Sequence, residues 1–127
     1  MRRIIGLACA VALAASCQDG SRDAKRLEAA IDDPKGYAQR VDDECAHGRA
    51  ASCTAVGLQM ADGTFGRTKD EAGAIPFLDK ACRGGDARGC HELAVMVEHG
   101  RGVAADPARA KELHDKACAG GVKASCG

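Results

Sequence analysis

Apolar residues recur along the chain at helical spacing. Val56 and Met60 share one face of a stretch from Ala50 to Ala61, and Leu93, Ala94 and Val97 share one face of a stretch from Ala87 to Glu98. Each follows a second helical stretch that opens on an aspartate. Asp33-Pro34 and Asp106-Pro107 join an N-cap to a first-turn proline, and Asp70 holds the same place in mid-chain. A glycine then stands where each of these stretches should stop, at Gly48, Gly85 and Gly121, suited to the left-handed residue that ends a helix. The pattern predicts first helices over 34–46, 71–83 and 107–119, each followed after a turn by a second helix.

Six of the 8 cysteines make this punctuation periodic. Cys45/Cys53, Cys82/Cys90 and Cys118/Cys126 are three C-x7-C pairs, and they recur 37 and then 36 residues apart. A period in the mid-thirties points to stacked helix–turn–helix units. The expected fold is therefore all-α, an α/α solenoid with units at 34–69, 70–105 and 106–127. The third unit is truncated, its second helix cut to about one turn, so Leu113 and Ala117 are expected to lack cover there. That end should fray or find a partner, self-association included.

In each unit the first cysteine falls in the last turn of helix A and the second in the first turn of helix B. On one continuous helix such a pair would lie about 12 Å apart, too far to bridge. Across a tight antiparallel corner the two β-carbons meet. The expected disulfides are Cys45–Cys53, Cys82–Cys90 and Cys118–Cys126, one of 15 arrangements open to six cysteines. The alternative is a metal site, but C-x7-C lacks the close spacing of zinc knuckles, and His47 and His91 do not recur in the third unit.

The glycines between units, Gly63 and Gly66 in one loop and Gly100 and Gly102 in the next, read as turns. No G-x-x-x-x-G-K-[ST] motif makes them a phosphate cradle. Gly100-x-Gly102-Val103-x-x-Asp106, Ala110 and Lys116-Ala117-Cys118-x-x-Gly121 resemble the Sel-1-like repeat, a tetratricopeptide-like family. The paired cysteines resemble its cysteine-rich, Helicobacter-cysteine-rich-protein-like subset. The resemblance covers 34–127 and departs at the family's aromatic positions, where Leu78, Val97 and Leu113 stand. Only Tyr37, Phe65 and Phe77 are aromatic, so the units bury little area each and the disulfides are read as structural. Stacked helical repeats expose a curved surface of the kind that holds a protein or peptide, which gives one functional expectation. The other, the penicillin-binding or weak β-lactamase activity described for cysteine-rich members, is what the resemblance implies.

The N-terminus sets the compartment. Met1-Arg2-Arg3 followed by the uncharged run Ile4 to Ala15 reads as a secretory signal over 1–16. Leu13-Ala14-Ala15-Ser16-Cys17 looks like a bacterial lipobox, with Ala14 where the motif prefers leucine. Lipidation at Cys17 would account for the one exported cysteine left over, and would tether the chain to a membrane face. The alternative is ordinary cleavage near Ser16, which would leave the protein secreted and soluble. Residues 17–33 then form a tether and a capping helix over 22–31.

Charge and motifs narrow the rest. Lysines and arginines number 18 and acids 18, with no basic excess to suit nucleic acid. There is no S-x-x-K, K-T-G, G-x-S-x-G or H-E-x-x-H, so no catalytic residue, metal or cofactor is assigned. His47, His99 and His114 are expected at helix ends or on the surface, and the run Asp42-Asp43-Glu44 as a solvated face. The sequence therefore reads as an exported interaction module of the cell envelope, binding an envelope or secreted protein. The alternatives are a β-lactamase-like hydrolase and a truncated paralogue with little function left.

Overall fold

The computed structural model describes residues 32–127; the expected signal, Cys17 and the capping helix over 22–31 lie outside the described residues. Among the described residues five helices of 13 residues follow one another: α1 Pro34–Ala46, α2 Ala50–Asp62, α3 Glu71–Arg83, α4 Ala87–His99 and α5 Pro107–Ala119. A single 3-10 turn, Lys123–Ser125, stands where a sixth helix would begin. No strand occurs among the described residues.

Local chemistry sets the helix ends. Asp70 accepts from the Gly73 amide at 2.8 Å, and Asp106 from the Arg109 amide at 3.1 Å, capping α3 and α5. Asp86 caps α4, accepting from the Gly89 amide at 3.2 Å, and also accepts a hydrogen bond from the Thr54 hydroxyl of α2. One carboxylate thus starts a helix and joins it to the helix stacked beneath. Gly48, Gly85 and Gly121 follow their helices with φ of 94°, 91° and 99°, left-handed as expected. Pro76 lies inside α3, which continues through it because Ala74, Leu78 and Ala81 stay buried on one face.

Helix directions follow from these contacts. The start of α4 meets the start of α2 through Asp86 and Thr54, while Arg101, just past the end of α4, bonds Glu71 at the start of α3. So α4 runs alongside α2 in the same sense and antiparallel to α3, the arrangement of a solenoid. One buried cluster joins Val41 and Cys45 of α1 to Cys53 and Val56 of α2 and Ala81 of α3. The other runs from Ala61, Ala74 and Leu78 through Leu93 and Val97 to Ala110 and Leu113.

Two expectations need correction. Leu113 and Ala117 do not lack cover: Leu113 packs into the second cluster and Ala117 is fully buried. The cover comes from α4, the second helix of the preceding unit, so α5 does not depend on a long helix after it. Nor is the acidic run only a solvated face. Asp42 pairs with Arg67 at 2.6 Å, and the same guanidinium donates to the Ala38 carbonyl and Gln59 Oε1, bracing the first inter-unit loop. Glu44 accepts from the Ser52 hydroxyl and pairs with Arg49 at 3.2 Å across the α1–α2 corner.

Gly102 is the tightest point of the second loop. Its φ is 70°, and a β-carbon there would lie 2.5 Å from the backbone of Glu71. Gly102→Ala therefore forces both left-handed strain and a backbone shift, and should cost about 2–4 kcal/mol. Gly121→Ala meets nothing within 4 Å and should cost only the strain, about 1–2 kcal/mol. Urea midpoints of the two variants measure the difference.

The three cysteine pairs sit at the unit corners, with S–S distances of 2.09, 2.05 and 2.06 Å for Cys45–Cys53, Cys82–Cys90 and Cys118–Cys126. Their surroundings differ. Cys45 and Cys53 are each 1% exposed, whereas Cys126 is exposed beside the 3-10 turn. Thiol–disulfide exchange needs access to sulfur. A brief pulse of dithiothreitol followed by alkylation should label Cys118 and Cys126 first, and Cys45 and Cys53 last.

Candidate functional site

The described surface holds a cavity of about 600 Å3 between α4, α5 and the 3-10 turn. Helix α4 supplies His91, Val95 and Glu98, α5 supplies Ala110, Lys111 and His114, and Ser125 closes one end. Both imidazoles meet the Ser125 hydroxyl, His91 Nδ1 at 2.6 Å and His114 Nδ1 at 3.0 Å. Their rings stand edge-on, with centroids 5.6 Å apart. One hydroxyl has one proton to give, so at least one ring carries a proton on Nδ1 and donates to Oγ. His114 Nε2 then lies 3.5 Å from Glu98 Oε2. Alongside, Lys111 bonds Asp115 at 2.9 Å, a hydrogen bond that raises the lysine above its ordinary pKa.

His114 is thus not a surface histidine at a helix end; it is half-buried, with Nδ1 hydrogen-bonded to Ser125 and Nε2 facing Glu98. His47 and His99 do occupy helix ends, their Nδ1 atoms 2.6 and 2.9 Å from the carbonyls of Asp43 and Val95. The signal for the histidine pair was present in the repeat register. His91 and Thr54 each follow the second cysteine of a unit, and Ser125 and Gly89 each precede one. His114 and Leu78 share a place in helix A, as Glu98 and Ala61 do in helix B. Where one inter-unit groove is packed by Thr54, Ala61, Leu78 and Gly89, the next holds two imidazoles, a carboxylate and a hydroxyl.

Ser125, His114 and Glu98 follow the order hydroxyl, imidazole, carboxylate used in nucleophilic catalysis. Two features oppose that use. His91 holds the same hydroxyl, and the amides of Ser125 and Cys126 already donate to Val122 and Lys123 carbonyls, which removes them as oxyanion donors. The polar cluster instead fastens the 3-10 turn to α4 and α5. Among the described residues no three His, Cys, Asp or Glu side chains converge as metal ligands, and no helix is long and apolar enough to cross a membrane.

Neither a family model nor a curated protein matches the sequence. Solved structures do. The chain is similar to cysteine rich protein B of Helicobacter pylori, at 26% identity over 72% of this chain and 68% of that one, with a TM-score of 0.69. The fold is that of Sel1-repeat proteins. A Sel1 repeat protein from Oxalobacter formigenes is 24% identical, with a TM-score of 0.69 over 73% of this chain and 38% of that one. A protective antigen of uropathogenic Escherichia coli displaying an SLR fold is 22% identical, with a TM-score of 0.70 over 73% and 20%. The last two show the fold alone, and this chain spans well under half of either. The helical-repeat fold is what this chain shares with the Helicobacter protein, and it is the fold that the cysteine periodicity predicts.

Proposed function

We propose that this Sel1-type array is an exported interaction module of the bacterial cell envelope, holding a protein or peptide partner. The observation that carries the reading is the stack of disulfide-clipped helical units, a repeat architecture that exposes an extended surface and that this chain shares with Sel1-repeat neighbours. The polar side chains of the cavity between α4 and α5 are engaged in fastening the fold. Three disulfides suit an oxidising compartment, and the charged start and apolar run of residues 1–15 suit export to one. Cys17 is the place for a lipid anchor.

The test is crosslinking in intact cells followed by fractionation. Capture of a discrete envelope protein, with the chain itself in a membrane fraction and released by Cys17→Ala, is the expected result. A chain found only in the cytoplasm would overturn the reading. So would turnover of a chromogenic β-lactam abolished by Ser125→Ala, because the cavity would then be an acyl-transfer site.

A further inference from the structure

Two histidines on different helices aim the same ring nitrogen at one atom. His91 of α4 and His114 of α5 each place Nδ1 against the Ser125 hydroxyl, at 2.6 and 3.0 Å. The rings meet edge-on at 63° rather than stacked, so their Nδ1 atoms converge. The repeat itself does not call for imidazoles there. At the same two places of the preceding groove stand Thr54, bonded to Asp86, and Leu78, buried in the second cluster. Imidazole nitrogens converging from two rigid elements are donors suited to zinc, copper and nickel.

The surroundings of His114 fit the same use. Glu98 Oε2 lies 3.5 Å from Nε2, which favours the ring proton on that nitrogen and leaves the lone pair on Nδ1. A carboxylate behind the ring is also the usual outer partner of a metal-bound histidine. His114 then accepts the Ser125 proton, and His91 donates its own Nδ1 proton to the same oxygen. No free thiol stands among the described residues to compete for the ion, because their cysteines are bridged. Two nitrogens do not suit calcium or magnesium, which take cages of oxygen.

We propose that His91 and His114 bind a divalent transition-metal ion of the zinc class between their Nδ1 atoms. The Ser125 hydroxyl turns aside, and His91 moves its proton from Nδ1 to Nε2 through solvent, with no net change of charge on the ring. An ion at the hydroxyl's place needs each ring to advance by about 0.5–1 Å to reach zinc–nitrogen bond length. Solvent completes the coordination, so the site is exchangeable and weaker than a structural centre with four protein ligands. The bound ion joins α4 directly to α5, the task that Ser125 performs without it. This site is independent of any partner that the array holds.

Zinc chloride titrated into the chelator-stripped, oxidised protein tests it, with the imidazole nitrogens followed by long-range proton–nitrogen correlation. One ion per chain is expected, with a dissociation constant of about 10 μM. The Nδ1 resonances of His91 and His114 should move, while those of His47 and His99, which face the Asp43 and Val95 carbonyls, stay in place. His91→Gln and His114→Gln should each weaken binding by more than about tenfold, and Glu98→Gln by about tenfold. Ser125→Ala removes the competing hydroxyl and should bind zinc at least as tightly as the parent. Circular dichroism checks that each variant keeps its helices, and the parent's ring shifts decide the matter where one does not. Three results overturn the proposal: no binding at about 1 mM zinc, shifts at His47 or His99 in place of the pair, or loss of the ion in folded Ser125→Ala.

Discussion

Reduction and alkylation of all three disulfides should unfold the array at 37 °C, abolishing its helical circular dichroism. Each bridge closes a ring across a sequence separation of 8, one turn of helix A through the corner to one turn of helix B. On the chain-entropy account each adds about 2.5 kcal/mol by restricting the unfolded chain, so three together approach the 5–15 kcal/mol of a whole small domain. The core offers little to replace them. Its fully buried side chains are few, with Leu78, Leu93, Val56 and Val97 the largest, and no aromatic ring is among its buried residues. Losses should also be unequal. Cys45→Ala with Cys53→Ala opens the joint on which α1 depends, while Cys118→Ala with Cys126→Ala releases only the 3-10 turn, which His91 and His114 still hold. A reduced chain that melts cooperatively within a few degrees of the oxidised one would refute this ledger.

Leu78→Ala is expected to be the most damaging single truncation, costing about 3–5 kcal/mol in urea unfolding. Leu78 is 0% exposed and sits where α2, α3 and α4 meet, so its loss opens a cavity shared by two units. The fit around it is close. A β-carbon on Gly57 would come within 2.6 Å of Leu78 Cγ, so the spacing of α2 and α3 is set by one glycine against one leucine. That gives the prediction a second arm. Gly57→Ala should destabilise the parent, yet recover part of the loss when combined with Leu78→Ala, because the methyl enters the void. Leu58, half-buried on the same helix as Gly57, should tolerate truncation at under about 1.5 kcal/mol.

Much of the fold was legible in the chain because its signals repeat. Asp70 and Asp106 cap the helices they precede, and Gly48, Gly85 and Gly121 adopt the left-handed turn, each by local chemistry that needs no knowledge of neighbours. Cross-unit contacts were harder to read. Arg67 bracing Asp42 and the Ala38 carbonyl joins residues far apart in the chain, and no spacing rule announces it. The histidine cluster was missed for a different reason. His91 and His114 look unrelated along the sequence, and become a pair only when two units are stacked and Ser125 is folded between them. Comparing each unit with its neighbour, position by position, exposes that departure, whereas searching for known motifs does not.

The central claim is that two helix pairs, and a fifth helix with the 3-10 turn after it, are each stapled at their own corner and stacked into one array. Proteolysis of the unreduced protein, with the linked peptides identified by mass spectrometry, tests it most directly. The account predicts three linkages, Cys45–Cys53, Cys82–Cys90 and Cys118–Cys126, and no others among these six residues. A bridge between units, such as Cys53 to Cys82, or free thiols throughout, would contradict it.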